Sequence, residues 1–223
     1  MSPFDWQEGI GHRAQYVESR LAAGVPVVAF SHAEGILIGT YRSQARKVYE
    51  IYDRLAYAGI GLQSDIEAVR VAAVDFAHQE GYQRSQDDVT IQRVISVLSA
   101  PVKRAFSDFQ MSPLVIKCLF AEVEDTVEKD RYYTIDYDGD YAVCRNCSVI
   151  AGTDEARDKL SDLLDRKAMA KSTPEKAATL MDAALHKLLT EADYPMEDLR
   201  FEAAILARAP GLRRRFRLLT VND

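Results

Sequence analysis

The amino-acid sequence predicts an α+β fold in which helices cover antiparallel sheets. Three observations support this fold: short apolar runs occur in groups, turn-type residues separate the runs within a group, and pairs of helical patterns separate the groups. Parallel strands would need a long crossover, usually a helix, between one strand and the next. Because the runs within each group are joined too tightly for such crossovers, antiparallel pairing is favoured.

The chain begins with a helical pattern and continues with two pairs of strands. Apolar residues recur at spacings of three and four in the first segment: Ile10, Ala14, Val17 and Leu21. This spacing predicts a helix over residues 9–23, which the sequence Gly24-Val25-Pro26 ends. Four short apolar or alternating runs follow, and we predict strands over residues 27–30, 36–39, 47–52 and 55–61.

Two helices and a group of strands form the middle of the chain. Ser64-Asp65-Ile66-Glu67 has the capping-box pattern and predicts a helix that ends near Gly81. A second helix is predicted to start at Ser85, and Pro101 is expected to kink or end it because proline lacks a backbone N–H. Strands are then predicted over residues 114–123, 132–137 and 141–150, with Asp138-Gly139 as a hairpin turn.

The last third of the chain predicts two helices and two strands. Gly152-Thr153-Asp154 and Ser172-Thr173-Pro174-Glu175 are typical helix starts, the second with proline in the first turn. Strands are predicted over residues 201–207 and 215–221, on either side of a turn at Pro210-Gly211. Since no repeat or low-complexity linker interrupts these elements, we expect one domain over residues 1–223.

Composition narrows the classes of function. The 223 residues carry 28 Lys and Arg against 34 Asp and Glu, a net charge of −6, which argues against a protein that binds the phosphate backbone of nucleic acid. Three cysteines in a chain of this length indicate a reducing compartment. The sequence shows neither a signal-length apolar stretch at its start nor a membrane-length apolar run, so we expect a cytoplasmic protein that does not span a membrane.

Several stretches, in their order and spacing, resemble the proteasome subunits and within them the bacterial α type. They are Val27-Val28-Ala29-Phe30 with Gly35-Ile36-Leu37, residues 47–54 leading to Gly61, Phe76-Ala77 with Gly81-Tyr82 and Asp88-Val89-Thr90, and residues 132–139 leading to Gly152-Thr153. The resemblance implies a four-layer α-β-β-α sandwich of two antiparallel sheets, the N-terminal-nucleophile hydrolase fold, with an extra N-terminal helix. It divides the chain into a gate segment (1–8), that helix (9–23) and the sandwich (24–223).

The resemblance also implies a seven-membered ring stacked on a ring of β-type subunits, which degrade unfolded protein substrates. Their chemistry needs an N-terminal threonine with its own amine as base, a lysine and an acidic residue. Here Gly24-Val25-Pro26 precedes the first strand, Tyr41 occupies the acidic position, and only Lys47 matches. We therefore predict a non-catalytic subunit that needs no cofactor and no metal.

In related α rings, a lysine at the position of Lys47 pairs with the C-terminal carboxylate of an ATPase activator. Such a contact is charge-assisted and is formed at a defined point. Gly61 is expected in the wall of that pocket, where a side chain would obstruct the activator tail. The gate is expected to consist of the first residues of the chain, in particular Ser2, Pro3, Phe4, Asp5 and Trp6.

Other features receive ordinary structural interpretations. Cys144-Arg145-Asn146-Cys147 lacks a second cysteine pair at zinc-like spacing, so we expect two free thiols. The histidines have no ligand spacing and are expected at the surface or at element edges: His12, His32, His78 and His186. The charged segment 125–131 is expected to be a plain hairpin loop, and the basic segment 213–217 a solvated strand edge or a contact with an acidic neighbour.

Two alternative functions stay open from the sequence. An autonomous N-terminal-nucleophile hydrolase of the same fold would require cleavage at a Thr, Ser or Cys just before Val27, and none is present there. A homo-oligomeric scaffold that has lost its β partner would keep the fold and the ring but not the proteolytic complex.

Overall fold

The computed structural model describes residues 3–209 and 214–220. The helices are α1 (Pro3–Leu21), α2 (Gln63–Gln83), α3 (Ile91–Ser107), α4 (Asp154–Leu163), α5 (Arg166–Lys171) and α6 (Pro174–Glu191). The strands are β1 (Val27–His32), β2 (Gly35–Arg42), β3 (Val48–Tyr52), β4 (Leu55–Gly61), β5 (Ile116–Glu122), β6 (Arg131–Asp136), β7 (Tyr141–Cys144), β8 (Cys147–Ile150), β9 (Arg200–Ala207) and β10 (Phe216–Leu219).

The strands form two five-stranded sheets with only antiparallel neighbours. The first sheet has the order β10-β9-β2-β1-β8, and the second has the order β3-β4-β5-β6-β7. The β1–β2 hairpin pairs Val27 with Thr40 and His32 with Gly35, so a tight turn joins the two strands as the sequence predicts. The predicted α+β class with antiparallel sheets is therefore confirmed.

Three apolar clusters hold the four layers together. One lies between the sheets, one between the first sheet and helices α4–α6, and one between the second sheet and helices α2 and α3. Along β1, Val27 and Ala29 belong to the inter-sheet cluster, whereas Val28 and Phe30 belong to the helix-side cluster. Because side chains alternate across a strand, a continuous apolar run fills two layers at once. The predicted α-β-β-α sandwich is confirmed.

Helix α1 closes one end of the inter-sheet core. Its residues Val17 and Leu21 are fully buried in the inter-sheet cluster. A Cβ atom on Gly152 would collide with the carbonyl oxygen of Leu21, so glycine permits this close approach. The helix begins at Pro3, six residues before the predicted start, and the residues expected to form the gate are therefore helical from Pro3 onward.

The predicted capping box at Ser64 does not form. Helix α2 begins at Gln63 with Leu62 as its N-cap, two residues before the predicted cap, and no side chain caps its start. The Ser64 hydroxyl donates instead to Asp65 Oδ1 at 3.1 Å, while Asp65 Oδ2 accepts the backbone N–H of Val115 at 2.9 Å. Asp65 thus links the helix start to the segment that precedes β5, and the helix continues past Gly81 to Gln83.

Helix α3 begins later than predicted and continues past Pro101. Ser85 starts a 3₁₀ turn (Gln86–Asp88), and α3 itself begins at Ile91. Pro101 does not end the helix, which continues to Ser107. Pro101 lies on the exposed face, where water can solvate the carbonyl that loses its partner.

The predicted strand over residues 141–150 is two strands in different sheets. Strand β7 pairs with β6 in the second sheet, whereas β8 pairs with β1 in the first. Between them Asn146 has a φ of 66°, a left-handed conformation that asparagine tolerates better than most residues. A further helix that was not predicted, α5, follows α4, and the Asp165 side chain caps it by accepting the N–H of Ala168 at 2.9 Å. The predicted turn at Pro210-Gly211 lies outside the described residues.

His32 lies at an element edge, as the last residue of β1, but is buried, whereas the interpretation of residues 125–131 as a plain loop is wrong. His32 is buried, accepts the N–H of Glu34 on Nδ1 at 3.1 Å, and approaches the Ser172 carbonyl with Nε2 at 2.8 Å. Asp130, in the loop expected to be plain, is fully buried and pairs with Arg208. The basic segment does meet acidic neighbours, since Arg215 lies 3.4 Å from Asp53 within the same chain.

Glu122, the last residue of β5, is a fully buried carboxyl group. Neither of its oxygens accepts a hydrogen bond of ordinary geometry within the described residues. Burial raises the pKa of Glu122 to about 7, and the charge of Arg54 only partly opposes this. The folded state therefore holds this proton more tightly than the unfolded state does.

We expect Glu122→Gln to remove a pH dependence of stability. Because the folded pKa is raised, the stability linked to Glu122 is complete below about pH 4.5 and is lost as the pH rises to about 7. The loss between pH 5 and pH 8 is roughly 2–3 kcal/mol. Urea unfolding of both proteins at the two pH values measures it. An equal pH effect in wild type and variant would contradict the assignment.

Candidate functional site

The segments that precede β1 and β3 share a cleft of about 410 Å³. Gly24 and Val25 line it from the α1–β1 connection, and Lys47 lines it from the residue just before β3. Gly61, the last residue of β4, completes the opposite wall. The structure thus brings together Lys47 and Gly61, the two residues that the sequence comparison with α subunits singled out.

Lys47 is a partly buried cation without an ion pair. Within residues 3–209 and 214–220, no carboxylate oxygen lies within 4 Å of its ammonium nitrogen. Burial lowers the pKa of Lys47 to about 8, and the nearby charge of Glu202 partly counteracts this effect. A lysine in this state gains from the arrival of a carboxylate, which would compensate for the lost hydration.

Glu202, on strand β9, fixes the backbone at Lys47. Its Oε2 atom accepts the backbone N–H of Lys47 at 3.1 Å and lies 3.4 Å from Nε of Arg42. Only 6% of Glu202 is exposed. Sequence analysis missed this residue, although a glutamate between Phe201 and the apolar run Ala203–Leu206 signals a buried charge that needs partners.

The backbone around Gly61 allows only glycine. Gly61 has a φ of +127°, and a Cβ atom there would collide with the Val115 carbonyl. That same carbonyl accepts the backbone N–H of Leu62 at 2.9 Å. The smooth wall of the cleft at this point is therefore built into the β4–β5 pairing.

A loop between α6 and β9 forms the rim of the cleft. The Tyr194 hydroxyl donates to the Ala23 carbonyl at 2.9 Å and ties this loop to the start of the sandwich. Glu197 and Asp198 lie on the same rim and are exposed. The cleft thus contains a partly buried cation, has acidic groups at its edge and is open to solvent on one side.

The segment that precedes β1 offers no nucleophile to the cleft. The positions before β1 are Gly24, Val25 and Pro26, none of which offers a nucleophile. Tyr41 turns to the other face of the first sheet, where its hydroxyl donates to Asp182 Oδ1 at 2.5 Å. Burial and this carboxylate raise the pKa of Tyr41, so it stays a neutral phenol.

The residues predicted as the gate lie at the start of α1, away from the segments that line the cleft. Pro3, Phe4, Asp5 and Trp6 fall within the first turns of α1, and Trp6 is 47% exposed. Ser2 lies outside the described residues. The structure therefore places the candidate gate and the candidate docking residues on different elements.

The cysteine pair does not form a chelating or redox motif. Cys144 packs against the inter-sheet cluster, whereas Cys147 packs against the cluster on the helix side of the first sheet. All three cysteines are free, as predicted for Cys144 and Cys147. In the described part of the chain, no group of three or more His, Cys, Asp or Glu side chains could hold a metal ion. No helix among these residues is long and apolar enough to cross a membrane.

The layer order and the cleft define a class of protein. Two antiparallel sheets between helical layers, with a lysine beside the start of the first strand, form the arrangement of the N-terminal-nucleophile hydrolases. In this chain the start of the first strand carries no nucleophile. The protein thus has the architecture of a hydrolase class, with Gly24, Val25 and Pro26 directly before its first strand.

Comparison with known proteins identifies the family. The proteasome subunit model matches residues 22–202, and the chain belongs to that family. A proteasome subunit alpha of Jonesia denitrificans is 32% identical and covers 95% of this chain and 89% of the relative. Those of Paenarthrobacter aurescens and Streptomyces coelicolor are 33% and 30% identical, each over 95% of this chain and over 90% and 83% of the relative. The resemblance to bacterial α subunits is confirmed.

Proposed function

We propose that this chain is the non-catalytic α subunit of a cytoplasmic 20S-type proteasome. Seven copies would form a ring that stacks on β-type subunits, encloses an antechamber and admits unfolded protein substrates. The observation that carries the proposal is the cleft beside β1, which holds Lys47 but no Thr, Ser or Cys in the preceding Gly24-Val25-Pro26 sequence. The assembled complex would be a threonine-type endopeptidase whose reactive groups belong to its β subunits.

The lack of a nucleophile in the segment before β1 favours a non-catalytic role for this chain in the complex. The family's chemistry couples a terminal hydroxyl, its own amine and a lysine. A lysine alone cannot replace the set, because residues that act as a unit lose nearly all activity when one member is missing. Helix α1 also favours a non-catalytic chain. Its residues Val17 and Leu21 are packed into the core, so the helix is an integral part of the fold rather than a segment to be cleaved off before β1.

The cleft supports docking of a peptide that ends in a free carboxylate. Lys47 supplies a cation that lost part of its hydration on folding, and Gly61 leaves room for the incoming backbone. An ATPase activator with an exposed C-terminal tail would supply that carboxylate. The contact would be strong for its size because both partners are charged and the site is partly desolvated.

Co-expression with a β subunit tests the proposed function. We expect an assembled particle with stacked rings of sevenfold symmetry in electron micrographs, and peptidase activity that disappears when the β-subunit threonine is replaced. Intact mass of the α chain is expected to include residues 1–24, which an autonomous hydrolase would have lost. Rings of this chain alone, without assembly or activity in the presence of β, would contradict the proposal.

We expect deletion of residues 1–7 to open the gate. The deletion removes the exposed Trp6 and the first turns of α1 but keeps Val17 and Leu21, which anchor the helix in the core. Peptide hydrolysis by the assembled particle should rise several-fold, because entry rather than cleavage limits a closed particle. Tyr16→Ala is a matched control, since it removes an exposed aromatic group from the same helix outside the gate segment. Equal hydrolysis by truncated and full-length particles would contradict the gate assignment.

A further inference from the structure

The docking lysine and a buried glutamate meet where three segments converge. Glu202 comes from β9, Lys47 from the β2–β3 connection, and Arg42 from the end of β2. The Oε2 atom of Glu202 is engaged by the Lys47 backbone N–H and by Arg42, while Oε1 is buried and has no hydrogen-bond partner among the described residues. A buried carboxylate with one unsatisfied oxygen is costly, so this position calls for a physical explanation.

The other charged groups around Lys47 do not substitute for Glu202. Arg42, at the end of β2, and Arg46, in the β2–β3 connection, carry the same sign of charge as Lys47, whereas Glu197 and Asp198 are exposed at the rim and screened by water. The α1–β1 connection and Gly61 contribute no charge to the cleft. Glu202 is therefore the carboxylate whose charge acts on Lys47 from the protein interior.

We propose that Glu202 is a positioning residue of the docking site, which fixes the Lys47 backbone and keeps the Lys47 ammonium charged for an incoming carboxylate. This inference rests on the proposed docking function. It explains why Glu202 is close to Lys47 without a direct ion pair. Its Oε2 atom is already engaged by a backbone N–H and by Arg42, so the lysine stays available to the ligand.

The charge balance of the cleft favours this role. Burial alone would drive Lys47 toward its neutral form, which cannot bind a carboxylate by charge. The charge of Glu202 counteracts this effect on Lys47. Burial raises the pKa of Glu202 itself, and the Lys47 backbone N–H and the charge of Arg42 oppose that rise. The site therefore keeps a usable cation near neutral pH in a partly dehydrated place.

The test measures peptide binding to the assembled particle as a function of pH. The probe is a fluorescent peptide with the last eight residues of a proteasomal ATPase, compared with the same peptide ended by a C-terminal amide. For wild type, the affinity should halve near pH 8 and fall about tenfold per pH unit above that. For Glu202→Gln, which keeps the acceptor for the Lys47 N–H, this fall should begin about one pH unit lower.

A second measurement reports on Lys47 without any activator. Mass spectrometry measures how fast an amine-reactive reagent modifies Lys47 at each pH. The rate should show a midpoint near pH 8 in wild type and a lower midpoint in Glu202→Gln. Glu122→Gln is the matched control, because it neutralises another buried strand glutamate away from the cleft and should leave the Lys47 midpoint unchanged. If Glu202→Gln does not assemble, Glu202→Asp is expected to keep the wild-type midpoint, because it retains the charge.

The outcomes separate this inference from the docking proposal. Unchanged midpoints in Glu202→Gln, or a shifted midpoint in Glu202→Asp, would overturn the role of Glu202. Equal binding of the free-acid and amide peptides would overturn the docking function instead. In that case the reactivity profile of Lys47 would still decide whether Glu202 keeps the lysine charged.

Discussion

Lys47→Met is expected to abolish stimulation by a tail-bearing ATPase while leaving ring assembly intact. Removal of the ammonium group deletes a charge-assisted contact in a partly buried site, worth roughly 1.5–3 kcal/mol. Binding of the eight-residue tail peptide should therefore weaken about 10- to 150-fold. Lys47→Arg is the matched control, since it keeps a cation and should retain part of the affinity. Unchanged stimulation of the Lys47→Met particle would contradict the docking role.

The same variant should not be less stable than wild type near neutral pH. The folded state lowers the pKa of Lys47 to about 8 from an ordinary value of 10.5, so it binds this proton less tightly than the unfolded chain does. Wild-type stability linked to Lys47 is therefore greatest above pH 10.5 and is lost as the pH falls to about 8. Methionine removes this charge. Lys47→Met should thus weaken docking without lowering stability. Urea unfolding of wild type and variant at pH 7 and pH 10 measures the difference in their free energies of unfolding.

The sheet and helix layers could be predicted from the sequence because local apolar patterns and short turns determine them. Residues 27–30 form a continuous apolar run that fills two layers, and a two-residue hairpin connection leaves antiparallel pairing as the simple solution. The strand over residues 141–150 was predicted as one because apolar content does not reveal which sheet a strand joins. The Asn146 conformation that divides it is visible only in three dimensions.

The candidate site was predictable only in part. Lys47 and Gly61 came from resemblance to a family rather than from periodicity, and the structure places both in one cleft. Glu202 could not be found in the same way, since it is 155 residues from Lys47 in the chain and acts through a backbone contact. At Ser64 a local motif predicts a helix start that does not form. Helix α2 begins at Gln63, and Asp65 instead accepts a tertiary hydrogen bond from the backbone N–H of Val115.

Asp130 and Arg208 form a buried pair that is also invisible in the sequence, since 78 residues separate them. The Arg208 guanidinium donates to both carboxylate oxygens of Asp130 at 2.7 Å. It donates as well to the carbonyl of His32 at 3.0 Å and to that of Glu124. This one side chain therefore ties the end of β9 to the β1–β2 turn and to the loop that follows β5.

We expect Arg208→Met to destabilise the chain by about 3–5 kcal/mol, because it leaves Asp130 as an unpaired buried charge. Arg157→Met is the matched control. Arg157 pairs with Asp154 at 2.7 Å on the exposed face of α4, where an ion pair contributes roughly 0–1 kcal/mol. Urea unfolding at pH 7 measures both variants at one protein concentration.

The double variant Arg208→Met with Asp130→Asn distinguishes a charge effect from lost packing. If the unpaired carboxylate dominates, the double variant should be more stable than Arg208→Met alone, because the residues are in contact and their effects are not additive. A double variant as unstable as the sum of the single changes would assign the loss to the carbonyls of His32 and Glu124 instead. The first outcome would show that the loop 125–131, through Asp130, contributes to stability although its charged composition suggests only a solvated turn.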